Sequence, residues 1–275
     1  MKLKDLPRAL GFRGGVREYG TEVTEVRLSE GTIRFARWLH PAEAQKTVSQ
    51  NSISALRRFL RRGDAAIDIG AHTGDSTVPI ALAVGGEGTV FALEPNPYVF
   101  KVLELNASLN PGVTHIVPLM FAAMPADGEF DFEYSDEGYC NGGFHQSISA
   151  WRHGHFTKLR VQGRNLFDYL QAASPEALAR IRFVKIDTEG FDRAVAQTLA
   201  PLLKTSRPFL KTEIYKHMPA SERHAYFDDL RALGYTCFKC GDDEYRGEPL
   251  NRASDLTKWR HFDLFAVPDE AGAVL

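Results

Sequence analysis

The segment AIDIGAHTGDSTVPIALAVGGEGTVFALEPNP, residues 66–97, decides the fold class. An apolar run ends in Asp68, a turn containing Gly70 and Gly74 follows, and a second apolar run ends in Glu94. Short runs of Ile, Val, Phe and Ala read as strands buried on both faces. Between them DSTVPIALAV, residues 75–84, reads as a helix, with Pro79 early enough to be tolerated. Strand, helix and strand in this order form the repeating unit of a mostly parallel sheet.

The pattern continues on both sides. YVFKVLELNASL (98–109) predicts a second helix and HIVPLMFAA (115–123) a third strand or strand and loop. NLFDYLQAA (165–173) reads as a helix, IRFVKIDTEG (181–190) as a buried strand, and FDRAVAQTLAPLL (191–203) as one helix. RPFLKTEIY (207–215), TCFKC (236–240) and HFDLFAVP (261–268) predict further strands around a helix at 222–235. About seven core strands result. GEFDFEYSD (128–136) places Phe130, Phe132 and Tyr134 on one face, as expected of a strand inserted into the core, and a Gly-rich loop follows. Upstream, TEVTEVRLSEGTIRFARW (21–38) alternates on either side of Ser29-Glu30-Gly31, the pattern of a β-hairpin. NSISALRRFLRR (51–62) then sets Ile53, Leu56 and Leu60 at helical spacing before Gly63. The expected organisation is an N-terminal hairpin or lid extension over residues 1–50 and one continuous domain over 51–275, with an inserted acceptor-side region at 128–160.

Composition narrows the function classes. With 275 residues, 44% hydrophobic, the chain can bury a sizeable core. Its 33 basic and 35 acidic side chains leave a formal charge of -2, which offers no long-range pull on nucleic acid or an anionic membrane. No apolar run approaches membrane-spanning length, and MKLKDLPRALGFRGG lacks the apolar core of a secretory signal. Three cysteines are too few for a disulfide framework. A reducing cytoplasm is the expected location.

In an open α/β sheet, ligands bind at the carboxyl ends of the strands. Asp68 with Gly70, Glu94, Asp187 with Glu189, and Glu213 all fall there. Gly70 and Gly74 allow a close turn beneath a ligand, and Glu94 can accept hydrogen bonds from two ribose hydroxyls. The turn Gly-Ala-His-Thr-Gly is not the Gly-x-Gly-x-x-Gly that cradles a pyrophosphate. Asp68 and His72 suit a zwitterionic amino-acid tail better, so the spacing favours S-adenosylmethionine over a dinucleotide or a purely structural unit. Lys185, Asp187 and Glu189 lie two apart and can share a strand face.

AIDIGAHTGDSTVPIALA, FALEPNPYVFKVLELNASLN, VKIDTEGFD and PFLKTEI, spread over residues 60–215, closely resemble the FkbM family of S-adenosylmethionine-dependent methyltransferases. The resemblance implies a class I methyltransferase, Rossmann-like α/β fold: a seven-stranded, mostly parallel sheet with helices on both faces, preceded here by the hairpin and helix. It also implies methyl transfer to a hydroxyl of a small natural product or sugar-containing metabolite. Asp68, Gly70, His72 and Gly74 resemble the first cofactor motif, Glu94 the ribose-binding acid, and Asp187 the residue at the cofactor–substrate boundary. Asn96 falls where an adenosine contact is expected. The family pattern often has Asn where this chain has His72.

An alcohol acceptor needs a proton sink, and His72 and Asp187 are the candidate bases. Tyr134, Tyr139, Asn141 and Trp151 in the inserted region, with Glu189 and Glu213, are the candidate acceptor contacts. Asp187, Glu189 and Glu213 offer hard oxygen ligands to a divalent metal, but caps and hydrogen bonds satisfy such acids equally well, so a metal is not favoured. His145, His153 and His155 match no strong zinc spacing. Cys237 and Cys240 have redox spacing, yet three residues apart on a strand they face opposite ways. Trp38, Leu39 and Pro41 make an apolar edge suited to a homodimer contact. The rival readings are N-methyl transfer, an NAD-linked oxidoreductase, and a non-catalytic Rossmann-like domain in which Asp68, Glu94 and Asp187 need not converge.

Overall fold

A computed structural model describes residues 17–44, 46–134, 142–143 and 157–271. The chain opens with a hairpin, β1 (Thr21–Leu28) and β2 (Gly31–Trp38), paired in register from Thr21 opposite Trp38 to Leu28 opposite Gly31. Helix α1 (Gln50–Leu56) is capped by the Ser49 side chain, and Ile53, Leu56, Phe59 and Leu60 are all buried, the last two beyond the helix. Then come β3 (Ala65–Ile69), α2 (Thr77–Val84), β4 (Thr89–Leu93), α3 (Pro97–Ser108) and β5 (Ile116–Leu119). Every residue of β3 and β4 is buried, as expected of strands covered on both sides.

A second, smaller sheet interrupts this alternation: β6 (Ala122–Ala123), β7 (Gly128–Tyr134), β8 (Gly142–Gly143) and β9 (Thr157–Arg164), in the order β6-β9-β7-β8. The strand at 128–134 therefore does not enter the central sheet. Its alternate residues Glu129, Asp131 and Glu133 are polar, so only the Phe132 and Tyr134 face can be buried. Strand β9 was not anticipated. Its Arg160 pairs with Asp131 at 3.0 Å across the exposed face.

The chain returns through α4 (Leu166–Ala173), α5 (Pro175–Ala179), β10 (Ile181–Ile186), α6 (Asp192–Thr198), α7 (Ala200–Thr205) and β11 (Phe209–Ile214). The single helix expected over 191–203 is two, because Pro201 can be accommodated only in a first helical turn. Helix α8 (Ala220–Ala232), β12 (Tyr235–Cys240), β13 (Pro249–Leu250) and β14 (Phe262–Pro268) complete the fold.

Among the described residues the central sheet runs β13-β12-β14-β11-β10-β3-β4-β5. The seven expected strands are joined by the two-residue β13 at the edge. The five strands from β11 to β5 are parallel, and β14 is antiparallel to both β11 and β12. Two cores cover the sheet. Ile67, Phe91, Val184 and Leu210 pack with α4 to α8 on one side; Ala66, Val90, Phe183 and Phe209 pack with α1, α2 and the hairpin on the other. Cys237 belongs to the first core and Cys240 to the second, so the two thiols do face opposite ways. Burial pushes both thiols up to about 12. No described helix is long and apolar enough to cross a membrane.

Candidate active site

Strand order reverses between β3 and β10, and a cavity of about 550 Å³ opens over their carboxyl ends. That volume falls within the range of about 300–1,000 Å³ typical of ligand clefts. Gly70, His72, Glu94, Asn96, Tyr134, Asp187 and Glu189 all line it.

Asp68, fully buried at the base, accepts hydrogen bonds from Ser76 Oγ and Thr77 Oγ1, each at 2.7 Å. It thereby fixes the start of α2. Lys185 Nζ lies 3.3 Å from both Asp68 Oδ1 and Asp187 Oδ2, so one ammonium bridges the ends of neighbouring strands. Burial opposes the charge on Lys185, but Asp68 and Asp187 outweigh it and hold the ammonium well above its ordinary range. The Asp187 side chain, 43% exposed, reaches the cavity.

Both turns depend on left-handed backbone. Gly70 has φ +75°, and a Cβ there would stand 1.9 Å from the carbonyl oxygen of Asp187. Gly74 has φ +94°, and a Cβ would meet Leu103 Cδ1 at 3.1 Å. These close approaches are to the protein itself, not to space above the turn as the sequence suggested. His72 has φ 49°, a conformation in which Asn is at home.

Glu94 is the hinge between the turns. One carboxylate oxygen accepts the His72 N–H at 3.0 Å and the other the Asn96 N–H at 2.9 Å. Burial pushes its carboxyl up to about 7. Asn96 caps α3 through a hydrogen bond from Tyr98 N–H at 3.0 Å. Its side chain is thus a helix cap at the cavity wall.

The far side is acidic. Glu189, at φ 54°, is raised by burial and then by the charge of Asp187. Glu213 is 8% exposed and does not line the cavity; its Oε1 meets His261 Nε2 at 2.5 Å. Burial and the surrounding acids push Glu213 up to about 9. Asp192, buried at the start of α6, accepts from Thr188 Oγ1 at 3.0 Å and from the Gly190 N–H at 3.2 Å, and holds the turn that carries Glu189. Among the described residues, no group of three or more His, Cys, Asp or Glu is arranged to hold a metal ion. Tyr139, Asn141, Trp151, Cys140 and the histidines at 145, 153 and 155 lie outside the described residues.

Residues 68–243, more than half of the chain, match the description Methyltransferase FkbM domain. The chain belongs to the FkbM methyltransferase family. It is similar to hexuronic acid methyltransferase AglP of Haloferax volcanii, 26% identical over 166 residues that cover 60% of this chain and 62% of that protein. Among solved structures, methyltransferase FkbM of Methylobacillus flagellatus KT aligns with TM-score 0.48 and 14% identity over 75% of this chain and 44% of that one. A SAM-dependent O-methyltransferase of Thermotoga maritima aligns with TM-score 0.43 and 14% identity over 89% of this chain and 77% of that one. The chain thus spans less than two thirds of the Haloferax protein and less than half of the Methylobacillus chain.

Several wall residues of this FkbM-family cavity escaped the sequence reading. Glu43 and Lys46, between the hairpin and α1, close one side; Lys46 Nζ lies 3.0 Å from Glu43, 3.1 Å from Asp75 and 3.3 Å from His72 Nδ1. Phe121, Met124, Phe132 and Phe191 supply apolar wall. The segment after the hairpin has neither periodicity nor motif, so nothing in it marked Lys46. Phe132 was marked as buried but not as part of a wall.

Proposed function

We propose that this chain is an S-adenosylmethionine-dependent O-methyltransferase acting on a hydroxyl of a small natural product or sugar-containing metabolite. The observation that carries the reading is the convergence of the motif acids: Glu94 and Asp187 line one cavity, and Lys185 ties Asp187 to Asp68 beneath it. A binding domain without catalytic purpose has no need of that arrangement.

The donor set fits the cofactor. Each Glu94 oxygen accepts one backbone N–H and keeps a second lone pair for a ribose hydroxyl. Leu93 and Phe121, which line the same cavity as Asn96, provide an apolar place for adenine, and Lys46, Asp75 and His72 provide charge and hydrogen bonds for the amino-acid tail. When bound, S-adenosylmethionine supplies a methyl group on a positively charged sulfur, already activated for transfer. The protein's tasks are then to align the acceptor, exclude water and remove one proton. Asp187 is the better proton acceptor: Lys185 holds Oδ2 and leaves Oδ1 for the acceptor hydroxyl. His72, with Nδ1 beside Lys46, is assigned to shaping the cofactor side. Phe132, Tyr134 and Phe191 wall the acceptor side, and Ala42, Glu43, Ala44 and Lys46, next to the hairpin, act as a lid. We place the enzyme in the cytoplasm, with no nucleic-acid partner.

Calorimetry with S-adenosylmethionine, S-adenosylhomocysteine and NAD tests the reading. Both sulfur ligands are expected to bind and NAD is not; NAD binding without either sulfur ligand would sink it.

A further inference from the structure

We propose that two copies of this chain associate through the outer edge of β1, antiparallel and about a twofold axis at Val26, so that their hairpins form one four-stranded sheet. This contact is independent of the methyl-transfer reading.

The hairpin leaves one ladder edge open. Leu28 and Gly31 close its two-residue turn as a hydrogen-bonded pair, so Glu22, Thr24, Val26 and Leu28 bond to β2. Thr21, Val23, Glu25 and Arg27 therefore direct their N–H and C=O groups away from β2. The same alternation turns the backbone of Arg34 and Ala36 outward on β2, and there the side chains of Asn110 and Asn106 meet it. On β1 nothing does: among the described residues, no group hydrogen-bonds to the outward backbone of those four residues. All four are exposed.

Charges on an edge strand ordinarily discourage pairing. Glu25 and Arg27 instead carry opposite signs, two residues apart on the outer face. Arg34 stands opposite Glu25 on β2, yet among the described residues neither Glu25 nor Arg27 has an oppositely charged group within 4.0 Å. Their neighbours are matched within the chain, Glu22 with Arg37 and Glu30 with Arg57. A twofold axis normal to the sheet keeps each face on its own side, which leaves few registers. Centred on Val26, it sets Glu25 opposite Arg27 of the second copy and Arg27 opposite that copy's Glu25. Both are hydrogen-bonded positions, so four backbone bonds and two ion pairs form together. On the inner face Val26 then meets Val26 of the second copy, next to the buried Ile33 that pairs with it on β2. An axis at Glu25 would bring two carboxylates face to face. An axis at Thr24 or Val23 would set both charges against uncharged residues. The edge is thus complementary to itself in one register.

Sedimentation velocity on the full chain tests the contact. The overlap is short beside the about 1,200–2,000 Å² of stable complexes, so the wild type should pass from monomer to dimer between about 10 µM and 1 mM. Glu25→Arg and Arg27→Glu should each weaken dimerisation about tenfold or more, because each sets like charges opposite one another twice. Mixed in equal amounts, the two variants are complementary again and should associate within about threefold of wild type. The double variant Glu25→Arg, Arg27→Glu should do the same alone. Both side chains are exposed, so every variant should keep the far-ultraviolet dichroism of wild type. A wild type that stays monomeric throughout overturns the proposal. So does a dimer indifferent to the single variants, which would move the contact elsewhere, as to the apolar edge of Trp38 and Leu39. Single variants that neither mixing nor the double variant rescues overturn it as well.

Discussion

Glu94 is scaffold by its hydrogen bonds and, in the proposed function, receptor as well. Its oxygens hold the amides of His72 and Asn96, and burial sets its carboxyl at about 7. In the proposed ribose contact the diol donates to the carboxylate, so binding there requires the proton to leave. Affinity for S-adenosylhomocysteine should therefore weaken toward tenfold per pH unit below about 7 and level off above it; a flat profile would remove Glu94 from the ribose contact. The same shift bears on stability. The folded value exceeds the ordinary 4.5, so the contribution of Glu94 is whole below about 4.5 and is lost as pH rises through about 7. Between those limits the melting temperature of wild type should fall relative to Glu94→Gln. The two turn glycines make a second contrast. In Gly70→Ala the methyl meets a carbonyl oxygen that cannot move without β10, whereas in Gly74→Ala it meets the end of a flexible Leu103. Both pay for a left-handed alanine, about 1 kcal/mol or more, and Gly70→Ala should lose clearly more in urea midpoint. Equal midpoints would mean that β10 yields. The sequence marked Glu94 and both glycines. That the obstruction at Gly70 is Asp187 depends on a strand more than a hundred residues away.

At the scale of elements, the hairpin is attached by two asparagines that imitate a neighbouring strand. Asn106 Oδ1 accepts the Ala36 N–H at 2.7 Å, and its Nδ2 donates to Ala36 O at 2.9 Å and Thr73 O at 2.8 Å. Asn110, four residues on, accepts from Arg34 N–H and donates to Arg34 O, both at 2.8 Å. They satisfy the free edge of β2 and tie it to the turn that follows β3. The hairpin itself was legible from alternation around Ser29-Glu30-Gly31. Its docking was not, because Asn106 and Asn110 look in sequence like the polar end of a helix. Strand β9 was missed for a related reason: a long stretch of weak pattern separates it from its partner β7. Replacing Asn106 by Leu fills the volume but strands three buried backbone groups. A loss of about 3 kcal/mol in urea unfolding is expected, with faster hydrogen exchange at the Ala36 amide. An unchanged Ala36 exchange rate would show that the asparagine is not what holds the hairpin.

On the scale of the whole molecule, alternating strands and helices revealed the fold class, but not that the last strand lies inside the sheet. Strand β14 is inserted between β11 and β12, with Leu264, Phe265 and Ala266 fully buried. No local pattern encodes that insertion, since pairing depends on which strand edges remain when the chain arrives. Residues 251–268 lie beyond the family match, which ends at 243, yet they complete both cores. Arg223 locks them in place. Buried on α8, its guanidinium donates to the carbonyl oxygens of Tyr215, Met218, Leu256, Trp259 and Arg260. Those five bonds join the turn before α8 to the segment that leads into β14. Truncation after Asp243 would remove the strand that links β12 to the sheet, expose both edges beside it and leave Arg223 with three carbonyl partners missing. The shortened chain should show no cooperative urea transition and no native near-ultraviolet dichroism, whereas Arg223→Met in the full chain should unfold cooperatively at a midpoint about 3–5 kcal/mol less stable. A truncated chain that unfolds cooperatively would mean that the matched region folds alone and that β14 is an addition to the sheet. The position of β14, bonded on both sides, argues that the region the family match covers cannot stand without it.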